Sequence, residues 1–277
     1  MAAKYESGQS ALSGELLNLF HELDSLFRLW AAESQAGEYL FPTFIPAAAL
    51  AKLDYFRSFP HLVTFPVALE ASEENLKRFT GGEPMDASGV LHFSNLAPAR
   101  DVLTPAACYH FYLNFQGEVL DRPRFVTTRA VCFRREAEYI PLQRQWGFSM
   151  REIVCLGTAE EVKDFLAKYQ ERVGRFFKEI GLPVEWKEAT DPFFNPSKNP
   201  KYLLQKLDPV KTEMVFQDRL AIGSINFHRN YFGEAFGITR EGKEAFSGCV
   251  AFGIERWIHA WLTHFGPRAG DWPRIGG

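Results

Sequence analysis

Cysteine, charge of one sign and long apolar runs are all scarce in this chain. Its four cysteines, Cys108, Cys132, Cys155 and Cys249, lie far apart with no CxxC pair. That spacing argues against a disulfide framework and by itself suggests only small buried apolar residues. The formal net charge is −3, with acids and bases intermixed along the sequence. No basic face emerges, so strong electrostatic binding to nucleic acid is not expected. No apolar stretch approaches the ~20 residues of a membrane span. The opening MAAKYESGQS lacks the hydrophobic centre of a signal peptide, so a soluble cytoplasmic protein is expected. Repeats, low-complexity runs and linkers are missing too, and residues 1–277 read as a single domain.

What is abundant is core material. Hydrophobic residues make up 46% of the 277, and 26 are phenylalanine, which excludes disorder. Leu12, Leu16, Leu19, Leu23, Phe27 and Trp30 recur at helical spacing and predict a helix over roughly 11–33. Residues 38–47 read as a proline-punctuated extended piece, 47–56 as a helix and 61–67 as a strand. EASEENLKRFT predicts a helix stopped by Gly81-Gly82. Pro105 suits the first turn of a helix carrying Cys108, Tyr109 and Tyr112.

From 124 to 158 two strand-like runs flank a polar turn near 137–145, the pattern of a long antiparallel hairpin. Thr158 with Glu161 makes a capping box. It opens a helix whose stripe is Val162, Phe165, Leu166, Tyr169, Val173, Phe176 and Phe177. Strand signals follow at 184–188, 212–216, 219–227 and 235–239. Helices flanking mostly antiparallel strands make an α+β domain.

Two segments carry possible chemistry. On a strand, Arg134 and Glu136 would share one face, with Arg144, Phe148 and Glu152 on or near the returning strand. Such a face could grip a phosphate and stack a base, or it could be an ordinary solvated face with cross-strand charge pairs. The stretch FSGCVAFGIERWIHAWL (246–262) opens a helix that, from Ile254 onward, places Ile254, Trp257, Ile258, Trp261, Leu262 and Phe265 on one stripe. Gly248 and Gly253 permit close backbone approach, and Arg256 sits one turn into the helix, where an anion would suit. On this stretch alone, a core helix with a solvated arginine and a buried cysteine is the better account.

FRRE at 133–136 and RQWGFSMRE at 144–152 resemble motif 2 of class II aminoacyl-tRNA synthetases, and GCVAFGIERW at 248–257 resembles motif 3. With TPAACYHFY (104–112), SINFHRNYFGEAFGI (224–238) and HFGPRAGDWP (264–273), the set is more similar to methanogen-type seryl-tRNA synthetases and their shortened bacterial relatives, the amino acid:[carrier protein] ligases. The likeness spans roughly residues 95–273. It implies a class II synthetase-like catalytic core without a tRNA-binding domain, acting as a homodimer.

The resemblance also implies residue roles. Cys108, Glu152 and Cys249 would hold Zn2+, leaving the fourth position for the substrate's α-amino group. Cys132 and Cys155 match no ligand and would be buried sheet residues. Arg134 would bind the α-phosphate of ATP, Glu136 the nucleotide or amino acid, Arg144 the distal phosphates and Arg256 the γ-phosphate side. Arg134 and Arg256 would be the catalytic pair. Gln145 and Phe148 belong to the same ATP set, Phe148 stacking on adenine. Asn226 and Glu152 would face the amino acid.

A departure stands just before Asn226, where the family's Mg2+-binding acid is replaced by Leu220 and Ala221, leaving Glu213 to share that role. The activity implied is formation of an aminoacyl adenylate from a small amino acid, glycine or alanine, and transfer to the phosphopantetheine thiol of a carrier protein. Arg122, Arg124, Lys198, Lys201 and Arg268 are candidates to steer an acidic carrier. The alternatives are a tRNA-charging enzyme and an inactive paralogue that binds nucleotide or amino acid.

Overall fold

The structure, a computed structural model, describes residues 8–198 and 200–275, the side chains of 198, 200, 201, 204 and 205 excepted. Its principal sheet is built from β1 (Gly37–Tyr39), β2 (Arg124–Phe133), β3 (Gly147–Gly157), β4 (Val184–Ala189), β5 (Lys211–Phe216), β6 (Leu220–Arg229) and β7 (Phe246–Gly253). The spatial order is β1-β2-β3-β7-β6-β5-β4. β1 runs parallel to β2, and every other neighbouring pair is antiparallel. The helices that matter here are α1 (Glu15–Ala32), α2 (Tyr109–Asn114), α3 (Ala159–Ile180) and α4 (Ile254–Phe265). This is the expected α+β arrangement, a mostly antiparallel sheet flanked by helices.

The pleat sorts the sheet's side chains between two layers. Ile153 and Cys155 of β3, with Val250 and Phe252 of β7, join the core beneath α1, α3 and α4. Val154, Leu156 and Cys249 point the other way, into a second core with α2 and the short helix Tyr231–Phe236. The helix-side core is strongly aromatic. Phe27 stacks on Phe252 at 4.1 Å and meets Trp257 edge-on at 5.0 Å. Burying a large apolar side chain contributes roughly 1.5–3 kcal/mol each, so this layer fixes the sheet as a rigid floor for whatever lies opposite.

Local signals agree with that packing. Thr158 Oγ1 accepts from the Glu161 amide at 3.2 Å, and Glu161 Oε2 accepts from the Thr158 amide at 2.7 Å, so the capping box forms. All seven stripe residues of α3 are buried, and the helix ends at Gly181 with φ 71°. Arg151 of β3 is only 2% exposed. It donates twice to Asp24 of α1 at 2.8 and 3.1 Å, and once to Glu38 of β1 at 2.9 Å. Arg129 also reaches Asp24, at 3.2 Å.

Several expectations need correction. Residues 61–67 form no strand; the segment is irregular, accepting from the Arg135 amide at Leu62 O (3.0 Å) and from the Leu103 amide at Thr64 O (3.1 Å) without building a ladder. Pro66 has no N–H to give a ladder. The helix over 47–56 is two, Ala47–Lys52 and Tyr55–Ser58, broken where Asp54 takes φ 52°. The helix after Pro105 starts only at Tyr109, because Pro105 O is taken by Arg134 Nε at 2.9 Å and the Ala107 amide by Glu152 at 3.1 Å. Most of 235–239 is the end of helix Tyr231–Phe236 and its left-handed stop at Gly237; strand returns only at Thr239. Finally, β2 ends at Phe133, so Arg134 and Glu136 belong to the turn and share no strand face.

Candidate active site

The sheet face opposite the helix layer is only partly covered, by α2 and helix Tyr231–Phe236. The uncovered part is a cleft of about 510 Å³. Strand periodicity aims side chains into it: Phe148, Met150 and Glu152 alternate along β3, while Ser224, Asn226 and His228 alternate along β6. β7 lies between those strands, with Cys249 opposite Asn226 on one side and Val154 on the other. Gly248 makes that crossing possible. A Cβ there would stand 2.8 Å from Val162 Cγ1 and 2.9 Å from Asn226 O.

Cys108, Glu152 and Cys249 converge at the cleft's inner end. Their ligand atoms all lie within 4.8 Å of one another, and all three residues are buried. Glu152 Oε1 accepts from the Ala107 amide, whereas its buried Oε2 has no hydrogen-bond partner among the described residues. Cys249 Sγ has Asn226 Nδ2 at 3.3 Å and His228 Nε2 at 3.6 Å.

Burial, then the neighbouring Cys249 charge, pushes the Glu152 carboxyl up to about 8. The hydrogen bond with Cys249, then burial, holds Cys108 well above the ordinary thiol range. Cys249 moves the other way, lowered first by the bond from Cys108, with His228 and Asn226 assisting against burial. A thiol shifted towards ionisation, beside two groups that hold displaceable protons and an orphaned carboxyl oxygen, is a donor set suited to a metal cation. The other two cysteines differ. Cys132 and Cys155 are fully buried in β2 and β3, and burial raises both thiols, Cys155 to about 12.

Arg134 and Arg256 also line the cleft. Arg134 lies over the Phe148 ring at 5.3 Å. Arg256, at the start of α4, is anchored through Nε to Gln143 O at 2.7 Å and through Nη1 to Ala221 O at 2.8 Å. Beside it, both oxygens of buried Glu255 accept from the Ser149 amide at 2.9–3.0 Å. Glu136, Gln145, Glu213 and Asn226 also line the cleft. Arg144 does not; it is exposed and pairs with Glu136 at 3.3 Å and Glu138 at 3.8 Å. Glu213 is held by Lys211 at 3.1 Å, and Lys211 also reaches Asp191 at 3.3 Å. Of the basic residues expected to steer a partner, Arg124 pairs with Glu118 and Arg268 with Asp271. The side chains of Lys198 and Lys201 lie outside the described residues.

The N-terminal segment adds a feature with no sequence signal. Gly8 O accepts from the Trp146 amide at 2.7 Å, Tyr139 donates to Gln9 O at 2.9 Å, and the Leu142 amide donates to Ser10 Oγ at 3.2 Å. Residues 8–10 thereby strap the hairpin turn that carries Glu136, Gln143 and Arg144. Sequence reasoning also passed over His228, although its place two residues after Asn226 on a strand puts both on one face. Asp191 and Lys211 meet only through the fold, in a loop and a neighbouring strand.

Comparison with known proteins agrees with this geometry. The family model described as "tRNA synthetase class II core domain (G, H, P, S and T)" matches residues 98–265. Amino acid--[acyl-carrier-protein] ligase 1 of Bradyrhizobium diazoefficiens is 34% identical over 245 residues, covering 84% of this chain and 73% of that protein. A type-2 serine--tRNA ligase of Methanococcus maripaludis is 27% identical over 292 residues, covering 97% of this chain and 55% of the relative. Among solved structures, M. kandleri SerRS in complex with A. aeolicus tRNASec superposes with a TM-score of 0.79 at 22% identity, over 99% of this chain and 57% of that one. The chain thus spans little more than half of these synthetases. Its ordered motifs, its sheet and the family match over most of its length agree: the chain belongs to the class II aminoacyl-tRNA synthetase core family.

Proposed function

We propose that the protein is an ATP-dependent ligase that activates a small amino acid, glycine or alanine, and passes it to the phosphopantetheine thiol of a carrier protein. The observation that carries this reading is the buried Cys108–Glu152–Cys249 set, with its unpartnered carboxylate oxygen, in one cleft with Arg134 and Arg256. The 34% identical relatives named amino acid--[acyl-carrier-protein] ligases support it. The donor set fits zinc, which when bound would supply a Lewis-acid anchor for the amino group.

The chain's own residues do the rest. Arg134 and Arg256 approach the phosphates from two sides and neutralise charge on the equatorial oxygens as the amino-acid carboxylate attacks the α-phosphorus and pyrophosphate leaves. Phe148 offers a stacking surface to adenine, and Gln145 and Glu136 border the nucleotide. Arg144, outside the cleft while paired with Glu136, exchanges that partner for the distal phosphates. Asn226, projecting between Ser224 and Cys249, faces the amino acid. Glu213 would share in holding Mg2+, giving up its Lys211 contact, while Lys211 keeps Asp191.

A second reading, a nucleotide- or amino-acid-binding paralogue without turnover, is favoured by Ala221 and by the Lys211 contact that neutralises Glu213. ATP–pyrophosphate exchange with a panel of amino acids separates them. Exchange with any amino acid excludes the paralogue, and silence across the panel removes the ligase. Labelled amino acid appearing as a hydroxylamine-labile thioester on carrier protein supports the transfer; label on tRNA alone removes it. A homodimer, a single domain over 1–277 and a cytoplasmic setting complete the proposal. Leu29, Leu40 and Phe44, at 61%, 91% and 51% exposed, offer the pairing surface, and no described helix is long and apolar enough to cross a membrane. A monomer by light scattering at micromolar concentration would contradict the dimer.

A further inference from the structure

Around the three candidate ligands the structure holds a relay. His228 stands on β6 two residues beyond Asn226, with Nε2 3.6 Å from Cys249 Sγ. Its other nitrogen meets two hydroxyls, Tyr112 at 3.1 Å and Ser247 at 3.2 Å. Phe232 packs edge-on against the imidazole at 5.0 Å and stacks on Tyr112 at 3.8 Å, so the imidazole meets a stacked aromatic pair. Tyr112 is fully buried, and its hydroxyl finds its partner in this ring.

We propose that His228 is a positioning residue for the metal centre, donating its Nε2–H to the Cys249 thiolate while Tyr112 and Ser247 fix that tautomer. The proposal rests on the zinc reading given above. Two thiolates and one carboxylate bring three negative charges to a dication. A set that electron-rich is a weak acceptor for a neutral amine. N–H donors on one sulfur withdraw density from it and restore acceptor strength, and Cys249 has two, from Asn226 and His228. A metal-bound thiolate carries no proton, so Nε2 must be the donor. Nδ1 then presents a lone pair to two rotatable hydroxyls, and Tyr112 and Ser247 stand within reach of it at 3.1 and 3.2 Å. Because the ring is locked by Phe232 and Tyr112, the hydrogen bond also fixes the direction in which the sulfur offers its lone pairs.

The test uses the full chain loaded with zinc, and separately with cobalt(II) as a spectroscopic probe. His228→Ala removes the donor, and His228→Gln restores an N–H at similar reach. Loss of such an outer partner typically weakens metal affinity ~10–100-fold. Zinc transfer to a chromogenic chelator should therefore be faster from His228→Ala by that factor and recover most of the way in His228→Gln. The sulfur-to-cobalt charge-transfer band should shift in His228→Ala and not in His228→Gln, and KM for the amino acid should rise in the Ala variant while KM for ATP holds. Should the Ala variant not fold, Tyr112→Phe keeps the ring volume and must show a smaller shift of the same band. A His228→Ala protein that holds zinc like the wild type, with an unshifted band, overturns the inference and leaves the proposed function intact. Wild-type protein that binds neither ion removes the zinc reading and the inference with it.

Discussion

Glu152→Gln gives the sharpest test of the buried cluster, because its outcome depends on pH alone once metal is stripped with a chelator. In the folded protein the carboxyl is held neutral, from an ordinary 4.5 up to about 8. At ~1.4 kcal/mol per tenfold, that difference corresponds to at most about 5 kcal/mol of folding free energy. The sign follows from which state ionises first. Below pH 4.5 both folded and unfolded chains are protonated, and the contribution is fully present. Between 4.5 and 8 the unfolded chain releases the proton while the folded chain keeps it, so stability drains away, and above 8 the loss is complete. The amide of the variant cannot ionise, so the variant lacks this slope. Titrating groups elsewhere are common to both proteins and cancel, whereas Cys108 and Cys249 interact with Glu152, so the difference reports the buried cluster as a whole. Urea unfolding at half-unit pH steps from 4.5 to 8.5 should show the variant gaining steadily on the wild type and overtaking it near the alkaline end. Zinc should abolish the gain, since the cation replaces the proton. Parallel pH curves for metal-free wild type and variant would refute the reasoning.

Three further outcomes are expected. Arg134→Ala and Arg256→Ala should each lower pyrophosphate exchange ~10²–10³-fold, the usual cost of one transition-state donor, with circular dichroism unchanged because both side chains bind loop or strand carbonyls rather than core. Gly248→Ala should lose about 1–3 kcal/mol in chemical denaturation, since one close neighbour of the new methyl is the Asn226 carbonyl and the strands must part. Arg151→Leu should destabilise by at most roughly 3–5 kcal/mol, since it strips buried Asp24 of two hydrogen bonds and leaves it Arg129 alone, and most of that should return in the double variant with Asp24→Asn.

Where sequence and structure agree, the cause is local. The stripe and capping box of α3 need nothing beyond neighbouring residues, and α4 declares itself through its tryptophans. The 61–67 run failed because composition imitates a strand while Pro66 withholds the ladder bond. Arg134 and Glu136 looked like strand neighbours because nothing short-range says where β2 stops. The grouping of Cys108, Glu152 and Cys249 was legible only through resemblance, since it depends on the order in which strands pair. His228 was within reach of simple period-two counting from Asn226. The Gly8–Ser10 strap was not, because its bonds run mainly through backbone atoms and leave no mark in residue type.

That strap makes residues 8–10 a handle on the turn between β2 and β3. Gly8 has φ 73°, and a Cβ there would fall 2.1 Å from the Trp146 ring, so no other residue closes the clasp without moving the indole. What it holds is the turn between β2 and β3, and the ladders of the sheet form without it. Cutting at Gln9, or fusing a bulky tag just ahead of Gly8, would therefore unlatch the turn while leaving the catalytic floor in place. On the proposed function, a tag placed there is expected to lower ATP affinity, and the choice of terminus for an expression tag becomes an experimental variable.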